Sequence, residues 1–229
     1  PNRRSGEMIP VPVVAAKSIS NAMGRSVEQP RIARERSSTE GTLVSEGVAG
    51  VQLGVARAGV KQQGLDDVVV IALAPGTRTA ALFTQNDFRA APVILALKHL
   101  AFSEALPSYL LINTGNANAG TGDAGMAAAL SCCERLAALT ETPAESVLPF
   151  STGVIGEPLP SDLIAAALPA AIDDLRQDNW RRASGAILTT DTQPKLHSLE
   201  VDLAGQSCRI TGIAKGAGMV CPDMATMLS

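Results

Sequence analysis

Seven consecutive apolar residues, Val68–Ala74 (VVVIALA), run between Asp66-Asp67 and Pro75-Gly76. Four of the seven are β-branched and turn-forming residues bound the run, so it reads as a buried strand. It is also the longest uninterrupted apolar stretch, far short of the roughly 20 residues that a membrane span needs. The chain therefore reads as soluble, with no membrane partner. Its 229 residues fit one domain or a two-lobed one. Hydrophobic residues make up 46% and aromatics only 3%, so the core has to be built from Ala, Val, Leu and Ile. Base stacking on aromatic platforms does not suit such a composition, and a net charge of -3 offers nothing to a phosphate backbone. No nucleic-acid partner is expected.

Further elements follow from the same reading. Thr79–Phe83 is expected as a second strand, joined to the first by the Pro75-Gly76 turn. Pro92–Leu100 reads as a helix with Pro92 in its first turn, Tyr109–Asn113 as a strand, and Gly125–Thr140 as an Ala- and Leu-rich helix. A short strand over Val147–Phe150 leads into Ser151-Thr152-Gly153. Ser161–Leu175 reads as a helix interrupted or kinked at Pro169, and Trp180–Leu188 as another. Leu199–Leu203 and Ser207–Ile213 resemble a hairpin turning at Ala204-Gly205. Strands and helices interleave, so the fold class is mixed α/β.

Residues 1–40 differ from the rest. They carry seven basic and four acidic residues, four prolines and several serines, without apolar periodicity, and read as a disordered basic tail. Four glutamates argue against a transit peptide. A chain that begins with Pro1 is not expected to be an intact translation start, with Met8 or Met23 as candidates for one. The cysteines give no metal signature: Cys132 and Cys133 are adjacent, Cys208 and Cys221 stand alone, and the only histidines are His99 and His197. They read as small buried hydrophobes in a reducing compartment, and no metal site is expected.

Gly120–Gly125 fits G-x-G-x-x-G and precedes a helix. A dinucleotide fingerprint needs that loop directly after a strand, and Thr114–Ala119 intervene. The carboxylate expected at the end of the next strand is also missing. Four other segments carry more chemistry. NTGNANA (113–119) and STGVIG (151–156) each follow a strand; the first has small polar side chains that turn a backbone and hydrogen-bond it. The second offers a hydroxyl beside a flexible backbone N–H, the donor types that an oxyanion hole needs. TTDT (189–192) closes a helix with three hydroxyls and a carboxylate. KGAGM (215–219) sets a cation among glycines. Each alone is compatible with an ordinary turn, and mechanism alone supports a hydroxyl-rich pocket with one lysine.

Taken in order, NTGNANA, PFSTGVIGEPLP, AILTTDT-x-PK and KGAGM-x-x-P-x-MATML resemble the successive signatures of the glutamate N-acetyltransferase/ornithine acetyltransferase family. GVQLGVARAGVK, DDVVVIALAPGT and LFTQNDFRAAPV are similar to that family's N-terminal portion. The resemblance spans about residues 47–229. It implies the family's α/β arrangement of sheets layered between helices, formed by two chains together. It also implies a precursor that cleaves itself within MATML, between Ala225 and Thr226. Thr226 then begins a second chain as the catalytic nucleophile. Thr152 and Gly153 match the oxyanion-hole pair; Thr189 and Lys215 match substrate-binding positions, with Thr226 a third. The division that follows is 1–40 tail, 41–225 first-chain region and 226–229 start of the second.

The chemistry this implies is coherent. A threonine hydroxyl is a weak nucleophile until a base takes its proton, and a free N-terminal amine is a base suited to that. Its unperturbed pKa of about 7.7–8.0 lies close to working pH. The substrates implied are N-acetylornithine and glutamate, linked by an acetyl-threonine intermediate, with no cofactor. Acetyl-CoA is a further acetyl donor whose use the sequence leaves open. The implied partner is the enzyme's own second chain, in a cytoplasmic heterotetramer of two first and two second chains. Two alternatives stand beside this reading. One is an N-terminal-nucleophile aminopeptidase or amidase using the same threonine with water as acceptor. The other is an inactive subunit, since the sequence stops at Ser229, three residues past Thr226. On that ground the chain is expected to be a fragment, inactive alone.

Overall fold

The structure, a computed structural model, describes residues 47–102, 106–203, 205–216 and 227–229, with the backbone of 14–16. Eight strands are described: β1 (Val14–Ala16), β2 (Val51–Ala56), β3 (Val68–Leu73), β4 (Arg78–Ala80), β5 (Tyr109–Asn116), β6 (Val147–Val154), β7 (Lys195–Leu203) and β8 (Gln206–Ala214). Four α-helices accompany them: α1 (Ala91–Ala101), α2 (Gly122–Thr140), α3 (Ser161–Asp173) and α4 (Trp180–Ala186). The class is mixed α/β, as the interleaved pattern indicates.

The VVVIALA run becomes β3, an inner strand of a four-stranded sheet ordered β2-β3-β5-β6. β3 runs antiparallel to both of its neighbours, β2 and β5, whereas β5 and β6 are parallel. A parallel pair needs a crossover, and α2 supplies it. Alternation along β3 sends successive side chains to opposite faces. Val68 and Val70 join Leu111 and Val147 under Cys133 and Leu136 of α2 and Leu168 and Ala171 of α3. Val69 and Ile71 join Leu110, Ile112 and Leu148 under Trp180, Ala183 and Ile187. Both faces are thus covered, which is why the run shows no polar alternation. Cys132 and Cys133 are buried free thiols in the first of these cores. Burial pushes Cys132 up to about 11 and Cys133 further still. Cys208 is half-buried, and Cys221 lies outside the described residues.

β2 has no counterpart in the sequence reading, because Gly54 interrupts its run. The glycine is there for packing: a Cβ at Gly54 would lie 1.8 Å from the carbonyl oxygen of Ala171. Its absence lets α3 close on the sheet. β2 is also an edge strand, and the chain covers that edge. The Leu53 N–H and carbonyl pair with Arg176, and the Asp174 carboxylate accepts from the Val55 N–H at 3.0 Å. The Arg176 backbone is thereby committed to the sheet edge, and α3 ends at Asp173 rather than continuing to Leu175. Pro169 sits inside α3, which is nevertheless one helix of 13 residues.

Several boundaries move. β4 covers Arg78–Ala80 rather than Thr79–Phe83, and it pairs with β1 instead of with β3. Within 1–40, expected to be disordered throughout, β1 is therefore a short strand; the rest of that segment lies outside the described residues. β5 and β6 run on to Asn116 and Val154, so the NTGN and STGV segments are strand ends and not loops. α2 begins three residues early, at Gly122, and α4 stops at Ala186. β7 and β8 are longer than read but form the expected hairpin, with Gly205 at φ 83°. Leu196 and Ile213 of that hairpin, together with Leu228, pack on the α4 side of the sheet.

An ion-pair network ties α4 to the sheet. Arg182 reaches Asp66 through Nε at 2.7 Å and Nη2 at 3.1 Å, and Asp174 through Nη1 at 2.8 Å. Its hydrogen bond, seconded by Arg57 and opposed by burial, holds the Asp66 carboxyl below its ordinary value. A carboxyl lowered on folding stabilises the native state above its unfolded value of 3.8, and that contribution is lost as pH falls through the folded value. Arg182→Met is accordingly expected to lower Tm by about 2–4 °C at pH 7, roughly 1 kcal/mol for a partly exposed network. Thermal unfolding across pH checks this, because the gap between variant and wild type has to shrink as pH drops below 3.8. A gap that stays constant with pH contradicts the assignment.

Candidate active site

The site is built at the carboxyl ends of the parallel strands β5 and β6, the edge where open α/β sheets generally bind ligands. Pairing there continues in register from Asn113↔Ser151 through Thr114↔Thr152 to Gly115↔Gly153. Asparagine, threonine and glycine are poor strand residues, so something besides propensity holds them extended. Side-chain bonds do part of this: Ser151 Oγ donates to Asn113 Oδ1 at 2.6 Å, and Asn113 Nδ2 to the Asn116 carbonyl at 2.9 Å. The two glycines do the rest. Gly153 has φ 141°, and a Cβ on it would lie 2.2 Å from the Gly115 carbonyl carbon. No other residue fits between these strand ends, and the backbone beside Thr152 stays bare of side chain.

Asn116 and Asn118 fix the turn that follows. Asn116 Nδ2 donates to the carbonyls of Glu157 and Pro158, at 3.1 and 3.0 Å, and its Oδ1 accepts from the Asn118 N–H. Asn118 is fully buried, donates to the Gly125 carbonyl at 2.8 Å and accepts from Thr121 Oγ1. The NTGNANA segment is therefore a self-bonded scaffold. The asparagine bonds thus tie this turn to the start of α2 and to residues 157–158.

Three of the singled-out residues converge. Lys215 follows β8 and is 1% exposed. Its Nζ donates to Thr152 Oγ1 at 2.7 Å and to Thr189 Oγ1 at 3.0 Å. Positions separated by 63 and by 26 residues thus meet at one ammonium. Burial lowers the Lys215 pKa first; Asp191 opposes that, and the positive charges of Lys195 and Lys61 add to it. Asp191 shapes the site as well. Its Oδ1 accepts from the Gly216 N–H at 3.0 Å and from Lys195 Nζ. The TTDT carboxylate so braces the KGAGM backbone, a role its motif did not specify. Gly153 lies beside Thr152 on β6, half-buried.

Ala225 and Thr226 lie outside the described residues, as do Ala217–Met219 of KGAGM. The chain resumes next to the site: the Lys215 N–H donates to the Leu228 carbonyl at 2.9 Å in an antiparallel bridge. Residues two positions past Thr226 are thus hydrogen-bonded to the lysine itself.

Sequence reasoning missed a second layer. Asp67, fully buried, accepts from the N–H groups of Ala58 and Val60, each at 2.6 Å, and of Lys61 at 3.1 Å. The loop it organises presents Lys61 Nζ to the Leu188 carbonyl. The one signal available was an acidic pair directly ahead of an apolar strand, which also suits an ordinary solvated turn.

What these features define is an ornithine acetyltransferase-like fold. The structure is similar to that of ornithine acetyltransferase complexed with ornithine from Mycobacterium tuberculosis, with TM-score 0.71 and 31% identity, over 81% of this chain and 98% of that one. It is also similar to the arginine biosynthesis bifunctional protein from Bacillus halodurans, at TM-score 0.66 and 29% identity over 81% and 94% of the two chains. The ArgJ family model matches residues 52–229, and the chain belongs to the ArgJ family. Curated relatives agree. The arginine biosynthesis bifunctional protein of Methylococcus capsulatus is 53% identical over 182 residues, 80% of this chain. That of Pseudomonas syringae pv. tomato is 54% identical over 181 residues, 79% of this chain. The chain spans 44% of the length of these curated relatives.

Proposed function

We propose that this chain is the first-chain part of an enzyme of arginine biosynthesis that moves an acetyl group from N-acetylornithine to glutamate. The observation that carries the reading is the buried Lys215 ammonium joined to the Thr152 and Thr189 hydroxyls, with the segment just after Thr226 hydrogen-bonded to the same lysine. The family membership and the ornithine-bound relative support it.

The steps follow from the residues. The Thr226 hydroxyl attacks the Ala225 carbonyl, exchanging the amide for an ester and freeing the Thr226 α-amine; water then opens the ester, releasing the Ala225 carboxylate and restoring the Thr226 hydroxyl. That amine then takes the proton of its own hydroxyl, which attacks the acetyl carbonyl of N-acetylornithine. The tetrahedral oxyanion is held by the Thr152 hydroxyl and the Gly153 N–H. A hydroxyl that accepts from an ammonium is polarised into a better donor, and Thr152 accepts from Lys215 Nζ at 2.7 Å. Collapse returns a proton to the departing ornithine amine and leaves acetyl-Thr226; the glutamate amine attacks that ester and regenerates the enzyme. Two of the three Lys215 donors go to the threonine hydroxyls, and Thr189, Lys215 and Thr226 together bind substrate. No cofactor takes part. Acetyl-CoA serves as a second acetyl donor if the enzyme is bifunctional, as its curated relatives are by name. The working form pairs this chain with the second one in a cytoplasmic assembly of two copies of each.

The test uses the complete protein with N-acetylornithine, with and without glutamate, and with acetyl-CoA and glutamate in a separate arm. Ornithine release that depends on glutamate, with ping-pong kinetics, is expected. Release into water without acceptor would instead mark an amidase.

A further inference from the structure

We propose that Lys61 is a positioning residue of this site, its ammonium seated on the Leu188 carbonyl so that the Thr189 hydroxyl is held against Lys215. The proposal rests on the reading of Thr189 and Lys215 as substrate-binding. It begins from the way the loop ahead of β3 is built. Asp67 gathers three backbone N–H groups from residues 58–61, so that loop has one conformation and Lys61 one point of departure.

Gly115 then brings the loop onto the strand ends. A Cβ at Gly115 would lie 2.6 Å from Lys61 Cα and 2.7 Å from the Val60 carbonyl oxygen. Only glycine there permits the loop to sit over the end of β5, from which the Lys61 side chain reaches the far end of α4. That end carries carbonyls that the helix itself leaves without partners, and the negative end of its dipole favours a cation. Thr114 Oγ1 donates to the Ala186 carbonyl at 3.0 Å, and Lys61 Nζ to the Leu188 carbonyl two residues on. The next residue is Thr189, whose hydroxyl accepts from Lys215 Nζ at 3.0 Å. The end of α4 is therefore pinned by β5, and the chain two residues past it by Lys61, immediately before Thr189 delivers its substrate-binding hydroxyl. The Lys61 charge is also among those that lower the Lys215 pKa.

Loss of this seat leaves Lys215 in place but frees Thr189, so ground-state binding is affected more than the chemical step. In the complete two-chain enzyme, K61M is expected to raise KM for N-acetylornithine about tenfold with kcat changed by less than about threefold. Tm should stay within about 4 °C of wild type. K61R, which restores a cationic donor, is expected to return KM to within about threefold of wild type. An unchanged KM in K61M overturns the proposal. So does a KM change that comes with a larger drop in Tm and is not recovered by K61R, since Lys61 would then only fasten the loop. These failures are distinct from failure of the functional reading, in which wild-type enzyme would itself transfer no acetyl group.

Discussion

Thr226→Ala in the complete protein is expected to give a single uncleaved chain with no transferase activity. Both reactions proposed here start from the same oxygen: it attacks the Ala225 carbonyl once, and thereafter the acetyl carbonyl in every turnover. Removing it leaves nothing to attack either centre, and without cleavage the α-amine that serves as base in acetyl transfer is never released. Thr226→Ser keeps the oxygen and loses only a methyl group, so it is expected to retain part of both activities. Gel electrophoresis reads the processing, and N-terminal sequencing of the wild-type second fragment should begin Thr-Met-Leu-Ser. The antiparallel bridge between Lys215 and Leu228 is the physical reason for expecting the attack here. It ties the chain just past Thr226 to the lysine that also holds Thr152. A fragment that starts elsewhere, or an alanine variant that still cleaves at this bond, overturns the assignment.

Much of the fold was legible because the sheet is made from runs that only a buried strand tolerates. Val68–Leu73 is the plainest of these, and its lack of alternation correctly signals burial on both faces. β2 escaped notice because its glycine reads as a break, although Gly54 is what allows the Ala171 backbone of α3 to approach. The ends of β5 and β6 read as loops for a related reason. Their residues are turn formers by propensity and are held extended by parallel pairing, by Gly115 facing Gly153 and by the bond from Ser151 to Asn113. Such causes lie in partners more than thirty residues away and leave no local periodicity.

The site divides in the same way. Thr152, Thr189 and Lys215 could be chosen from the sequence because their motifs occur in a family's order; their meeting at one ammonium is a consequence of topology, and no spacing encodes it. Asp191 was visible as the carboxylate of TTDT, but its bond to the Gly216 N–H was not. Lys61 and Asp67 gave even less away, since a charged loop before a strand is commonplace on protein surfaces. Their roles rest on the full burial of Asp67 and on the reach of Lys61 to Leu188, the latter from a loop that Gly115 lets approach the end of β5.

Thr152→Ala is expected to slow both self-cleavage and acetyl transfer about a hundred- to a thousand-fold, the usual cost of losing one oxyanion donor. Two effects act together. The oxyanion of each tetrahedral intermediate loses a hydroxyl that Lys215 has polarised, and only the Gly153 N–H remains. The ammonium in turn loses its 2.7 Å partner at a site 1% exposed. A buried donor deprived of an acceptor costs about 1–3 kcal/mol, so the alanine variant should also melt several degrees lower. Instability alone would lower the amount of folded enzyme without altering the rate constants of what remains folded. Single-turnover acetylation of Thr226, normalised to folded protein, separates the two effects and should show the full catalytic loss. Thr152→Ser, which retains the oxygen bonded to Lys215, should stay within about tenfold of wild type on both reactions. An alanine variant that processes and turns over at near wild-type rates would make Thr152 a strand-end residue whose hydroxyl merely caps Lys215, and the oxyanion would have to be stabilised elsewhere.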